Sequence, residues 1–333
     1  MKIVILDGYA LNPGDLSWEE INALGEVEYY DRTASEDIVS RCEDAEIVLT
    51  NKVPFSAETL SQLPMLKMIG VMATGYNIID CASARKQGIT VCNIPAYSTA
   101  SVAQTVFALL LSATNSVEHY THQITHEQRW TSNPDFCYWD TPLQELAGKT
   151  MGIISLGRIG MAVANIAQAF GMKVVALTSK RQEELPSYIL KEGEAELLAQ
   201  SDVISLHCPL TPETQNFINA TRIAKMKSSA IIINTSRGPV VNEQDVADAL
   251  TNGRRCALCR TGFGILSPAQ GTSRVSHASY SLGHTSGSYS PDEYPHRECE
   301  VIHSWQSSKY SQLKQTSHKW QQTTRKSSSQ WLA

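Results

Sequence analysis

Seven short apolar runs, KIVIL, AEIVL, KMIGVMA, MGIIS, KVVAL, DVISL and AIIIN, recur along this chain, most of them followed by a helix-like stretch. Runs that are apolar at consecutive positions suit strands buried on both faces of a sheet, and their alternation with helices indicates parallel sheets flanked by helices. In the first series, from Lys2 to about Gly70, the helix-like stretches are SWEEINAL, SEDIVSRC and SAETLSQL, with Ser17, Ser35 and Ser56 as expected N-caps. The second series begins after LAGK at 146–149. It predicts helices over 159–170, 192–200 and 220–226, and SVAQTVFALLL at 101–111 reads as the helix connecting the two series.

A chain of 333 residues accommodates two such units. A net charge of -5 gives no general attraction to nucleic acid or to an anionic membrane surface, so neither is an expected partner. No run of about 18 apolar residues exists to span a bilayer. MKIVILDGYA reads as an opening strand rather than a secretory signal, and the eight cysteines are scattered as free thiols of a reducing compartment. We expect a cytoplasmic protein. The Cys256/Cys259 pair lacks further ligands at metal spacing, and no metal is expected.

Ligands of parallel α/β sheets bind at the carboxyl ends of strands. IIINTSRGP at 231–239 delivers Thr235, Ser236 and the cation Arg237 to such an end, although an arginine beside Gly238 and Pro239 can also be a solvated loop residue. SLGRIG at 155–160 follows a strand and opens a helix, the context of a dinucleotide fingerprint. Gly157 permits close approach of pyrophosphate and Gly160 close packing of helix on strand, while Ser155 replaces the first glycine. The next strand, KVVAL, ends in Thr178, Ser179, Lys180 and Arg181 where an NAD site usually carries an acid. Hydroxyls and two cations suit a 2′-phosphate, so the expected cofactor is NAD or NADP; the alternative is that the cations are merely solvated. HCPLTPET at 207–214 follows DVISL. His207 has no metal partner at ligand spacing, and with Pro209 and Thr214 it is expected to wall the cofactor. In VMATGYNIID at 71–80, Ala73, Thr74 and Gly75 can present backbone N–H groups to an anion.

ATGYNIID, NIPAYSTASVAQTVFALLL, ELAGKTMGIISLGRIG, HCPLTPET and INTSRGPVVNEQDVADAL, in this order, resemble the D-isomer-specific 2-hydroxyacid dehydrogenases. With FCYWD at 136–140, the chain is most similar to the glycerate dehydrogenase or hydroxypyruvate reductase branch. The resemblance covers about 1–254. It implies two doubly wound parallel-sheet domains: a flavodoxin-like substrate domain over 1–99 and an inserted Rossmann domain over 100–285, with an atypical tail over 286–333. It further implies that Gly75 and its neighbours bind the substrate carboxylate, that Arg158 and Ile159 contact pyrophosphate, and that Arg237 holds carboxylate and carbonyl. The implied activity is NAD(P)-dependent oxidation or reduction of small D-2-hydroxy and 2-keto acids, hydroxypyruvate or glyoxylate first, by a homodimer.

Family spacing places a glutamate 29 residues after the arginine and a histidine 47 after it, which here gives Leu266 and His284. His284 is the candidate acid/base, but Leu266 cannot orient it, and Thr261 stands where the family carries an aspartate. From Arg255 onward the 79 residues hold 16 serines, only ten residues among Val, Ile, Leu, Met and Phe, and five of the nine histidines. So little apolar surface can hardly offset ordering entropy, and weak order is expected there. The abrupt change reads as translation in a different frame, which the nucleotides around codons 250–260 would decide. A catalytically inactive dinucleotide-binding or interaction protein of the same fold is the competing expectation.

Overall fold

A computed structural model of the chain describes residues 1–14, 16–140, 143–252, 257–260 and 264–266. His284, Thr261, Cys256 and the tail from 267 on lie outside the described residues. The chain divides into two compact units at Ser98/Thr99.

The first unit is a five-stranded parallel sheet of β1 (Lys2–Ile5), β2 (Glu26–Tyr29), β3 (Ile47–Thr50), β4 (Met68–Val71) and β5 (Thr90–Asn93), in the order β2-β1-β3-β4-β5. Strand alternation explains its two cores. Val4 and Leu6 join Ile38, Leu60 and Ile69 on one face, whereas Ile3 and Ile5 join Leu11 and Leu49 on the other. Helices α1 (Glu19–Asn22), α2 (Ile38–Cys42), α3 (Ala57–Ser61) and α4 (Cys81–Lys86) connect the strands. Ser56 caps α3 through Thr59 N, as expected, but Ser35 lies inside a 3-10 turn instead of capping one, and α1 starts after Trp18 with Ser17 Oγ accepting from Glu19 N.

The second unit opens with α5 (Thr99–Asn115), α6 (Val117–Thr125) and α7 (Arg129–Ser132). There follow β6 (Thr150–Ile154), α8 (Arg158–Ala169), β7 (Lys173–Leu177), β8 (Ile189–Lys191), α9 (Glu194–Gln200), β9 (Val203–Leu206), α10 (Ala220–Lys225), β10 (Ile231–Asn234), α11 (Glu243–Thr251), β11 (Ala257–Arg260) and β12 (Gly264–Leu266). The sheet runs β12-β11-β10-β9-β6-β7-β8, parallel except for β12 against β11. Chain order reverses between β6 and β9, the switch point of a Rossmann sheet. Both faces are covered: Met151, Ile153, Ile231 and Ile233 pack with Val106 and Leu110 of α5, and Ile154, Ile204 and Ile232 pack with Leu197, Ile223 and Val246.

Among the described residues no single helix is long and apolar enough to cross a membrane. The pair α5 and α6 has the length and composition but bends by 63°, and α5 buries Ala103, Val106, Phe107 and Leu110. Past Arg255 the described residues are β11 and β12: β11 pairs in register with β10 and buries Leu258 and Cys259. Burial pushes the Cys259 thiol up to about 12, so it packs as a small apolar group.

Candidate functional site at the carboxyl edge of the second sheet

Four central strands of the second sheet stop in register. Leu177 of β7, Ile154 of β6, Leu206 of β9 and Asn234 of β10 are mutual partners across the sheet, so the residues that follow, Thr178, Ser155, His207 and Thr235, emerge in one row. Backbone bonds extend the row past the strands, from Ser155 N to Leu177 O at 3.0 Å and from His207 N to Ile154 O at 2.9 Å. The fold thereby gathers the fingerprint, the cation turn, the His207 loop and the Arg237 turn on one edge.

The fingerprint turn keeps the backbone of a glycine at a serine, since Ser155 has φ +73. Gly157 is the N-cap of α8 with no side-chain cap, and nothing lies within 4 Å of where its β-carbon would be. The first-turn N–H groups of Arg158 and Ile159 therefore meet an open approach at the positive end of a three-turn helix, the arrangement that binds a pyrophosphate. Gly160 has the opposite surroundings and is buried against β6.

After β7 the chain makes a short turn. Thr178 Oγ1 accepts from Lys180 N at 3.3 Å, and Lys191 Nζ donates to Lys180 O at 2.7 Å. Ser179, Lys180 and Arg181 are exposed, and Arg181 meets Glu184.

His207 Nε2 pairs with Ser205 Oγ at 2.8 Å, and desolvation pushes the imidazole down to about 4. At neutral pH it is uncharged. Thr214 turns its hydroxyl inward, donating to Pro209 O at 2.6 Å and accepting from Thr211 N at 2.7 Å. Its part is to close the loop that carries Pro209.

Arg237 leaves β10 on a turn that Asn234 staples. The buried Asn234 carboxamide accepts from Ser236 N at 3.0 Å and Ser236 Oγ at 2.8 Å and donates to Arg237 O at 2.8 Å. Arg237 Nη1 donates to Ser236 O at 3.0 Å. Beside it the Thr235 hydroxyl is buried with no partner among the described residues. A buried hydroxyl without a partner is costly unless a ligand completes it. Together with the open approach over Gly157, it fits a bound dinucleotide.

In the first unit Ala73, Thr74 and Gly75 follow β4. Ile94 N donates to Ala73 O at 3.1 Å, Thr74 Oγ1 to Ile94 O at 3.0 Å, and Asn93 Nδ2 to Thr74 O at 2.8 Å. These bonds fix the turn through its carbonyls and hydroxyl, while the N–H groups of Thr74 and Gly75 meet no acceptor among the described residues. On the same edge Asp7 accepts from Asn51 N at 2.7 Å and Lys52 N at 2.6 Å, ordering the loop after β3.

Asn234, Ser205 and Asp7 are supporting residues that sequence reasoning passed over. Asn234 and Ser205 left a signal, a polar residue inside an apolar strand run; Asp7 left only an Asp-Gly pair.

The sequence profile described as D-isomer specific 2-hydroxyacid dehydrogenase, NAD binding domain, matches residues 107–258. The chain is 52% identical to a hydroxypyruvate reductase of Blautia hydrogenotrophica over 77% of its own length and 81% of that protein's. It is 42% identical to a glycerate dehydrogenase of Methylorubrum extorquens over 76% and 77% of the two. Among solved structures it is similar to the D-lactate dehydrogenase of Aquifex aeolicus complexed with NAD and lactic acid, with a TM-score of 0.69 at 30% identity over 78% and 77% of the two chains. An acyclic imino acid reductase in complex with NADPH and D-Arg gives a TM-score of 0.68 at 30% identity over 78% and 83%.

Proposed function

The chain belongs to the D-isomer-specific 2-hydroxyacid dehydrogenases, and from that premise we propose that it reduces a small 2-keto acid, hydroxypyruvate or glyoxylate first, at the edge where Arg237 emerges. The observation that carries this is the row of Thr178, Ser155, His207 and Thr235 at strands ending in register, with the stapled Arg237 turn beside it.

When bound, the nicotinamide supplies or accepts the hydride. Gly157 and the amino terminus of α8 hold the pyrophosphate, Thr178 to Lys180 meet the adenosine ribose, and the His207–Thr214 loop walls the ring. Arg237 orients the keto acid. Its planar fork can bond the carboxylate and polarise the carbonyl together, and the Asn234 staple holds the turn so that little reorganisation accompanies reaction. His207 is not the proton donor: it is neutral above about pH 4, and Ser205 engages its Nε2. At the spacing where the family places the glutamate, Leu266 occupies β12 opposite Leu258. His284, the candidate acid/base, lies outside the described residues.

Leu266 also supports a second reading, a protein that binds dinucleotide without turnover. Absence of positioned acid/base groups costs roughly 10²- to 10⁴-fold in rate. Mixing the full chain with hydroxypyruvate or glyoxylate and NADH or NADPH separates the two. Decay of the reduced-nicotinamide absorbance is expected, whereas cofactor binding without decay would leave the binding protein.

The active form on this reading is a homodimer. The segment after α5 exposes Phe136 (89%) and Trp139 (68%), with Val117, Ile124, Trp130 and Leu143 also exposed, an apolar set suited to a second copy. Sedimentation of the full chain tests it, a monomer at micromolar concentration being the contrary result.

A further inference from the structure

Taking the edge of the second sheet as a nicotinamide-dinucleotide site, as proposed above, the turn after β7 decides which dinucleotide it prefers. Ser155 N is bonded to Leu177 O at 3.0 Å, so Thr178 begins one residue beyond the point where β7 is tied to the pyrophosphate turn. The adenosine ribose of a dinucleotide reaches this place, and a site for the unphosphorylated form sets a carboxylate there to accept from the ribose hydroxyls.

Thr178, Ser179, Lys180 and Arg181 offer no carboxylate. They offer two hydroxyls and two cations, and Lys191 from β8 brings a third cation onto Lys180 O. The nearest acid on the turn, Glu184, is already engaged: its carboxylate accepts from Arg181 N at 2.8 Å and Arg181 Nε at 3.3 Å, and the Arg181 N–H bonds hold its pKa below the usual range. Glu183 beside it is exposed, and Glu192 follows just past β8, its N–H donating to Ala176 O. Lys180, Arg181 and Lys191 thus share this region with Glu183, Glu184 and Glu192, but no carboxylate stands within Thr178–Arg181 itself, and Glu184 is taken. The Arg181 side chain remains 78% exposed and keeps its terminal nitrogens for a ligand.

We propose that Ser179, Lys180 and Arg181 form a pocket for a ribose 2′-phosphate, so that this chain prefers NADPH to NADH. A phosphate dianion accepts charge-assisted bonds from lysine, arginine and a hydroxyl at once, while a bare 2′-hydroxyl finds cations where it needs an acceptor.

Calorimetric titration of the full chain, without substrate, with NADPH, NADH, adenosine 2′,5′-bisphosphate and adenosine 5′-monophosphate tests this. NADPH should bind at least about tenfold tighter than NADH, and the bisphosphate tighter than the monophosphate. Lys180→Gln should weaken NADPH about tenfold more than it weakens NADH, and Ser179→Asp, which introduces a carboxylate, should reverse the order of the two. Equal binding, or tighter NADH, overturns the preference and leaves the dinucleotide site standing. Unchanged NADPH affinity in both variants removes these residues from the pocket. Failure to bind either dinucleotide overturns the site together with the preference.

Discussion

The carbonyl oxygen of Ser155 lies 2.5 Å from where a β-carbon on Gly160 would sit. The two residues depend on each other. The left-handed backbone of Ser155 turns its carbonyl onto the first turn of α8, and only a glycine at 160 lets the helix start that close to β6.

Gly160→Ala should therefore damage the site from within. Its new carbon would meet backbone at 2.5 Å and Ile153 Cγ2 at 3.2 Å, and backbone cannot step aside as a flexible side chain can. We expect a stability loss of about 1–3 kcal/mol in denaturant melts and weaker dinucleotide binding. Wild-type stability together with wild-type affinity would show that α8 is not seated in this way.

Ser155→Gly should act in the opposite direction. An L-residue at φ +73 carries roughly 1–2 kcal/mol of strain, part of which glycine's larger unfolded-state entropy cancels. A net gain of about 0.5–1 kcal/mol is expected, read as a higher midpoint of unfolding. A lower midpoint would mean that the serine side chain contributes more than its backbone strain costs.

Arg237→Lys keeps the charge but loses the fork. kcat/KM for the keto acid should fall about 10²- to 10³-fold with dinucleotide affinity little changed, since the loss falls on the developing carbonyl charge. A fall in cofactor affinity without a fall in kcat would place Arg237 in cofactor binding alone. Asn234→Ala, which leaves the guanidinium in place but unstaples its turn, should lower kcat/KM by less.

Stability should fall in acid through His207. Burial sets the folded-state imidazole at about 4 against an ordinary 6.5, so the unfolded chain takes up this proton first as pH falls. The contribution is complete above pH 6.5, declines between 6.5 and 4, and is lost below. Compared with His207→Gln, the wild type should lose on the order of 2–3 kcal/mol more stability from neutral pH down to its folded-state pKa. A difference that stays constant with pH would show that the imidazole is solvated.

The strands legible in the sequence are mostly those covered on both sides. β1, β3, β4, β6, β7, β9 and β10 all sit inside their sheets, so they read as uninterrupted apolar runs. β2, β5, β8 and β12 leave no such run because each lies at a sheet edge. Glu26–Tyr29 alternates polar and apolar residues and Ile189–Lys191 buries one residue of three, patterns that a surface loop shares. β11 is hidden in the sequence for another reason. Its surroundings are rich in serine and arginine, and only pairing with β10 reveals that Leu258 and Cys259 complete a core.

The same division runs through the site. The sequence by itself determined the two-unit α/β organisation, the glycine turn, the cation-bearing end of β7 and Arg237, because continuous burial and local turn chemistry are written in consecutive residues. Only the tertiary structure decided that Leu177, Ile154, Leu206 and Asn234 end side by side, that Ser155 takes a glycine's backbone to meet Gly160, and that Asn234 staples the Arg237 turn. Strand register is set by hydrogen bonds between segments tens of residues apart, and a buried carboxamide shows its partners only once the chain has folded around it.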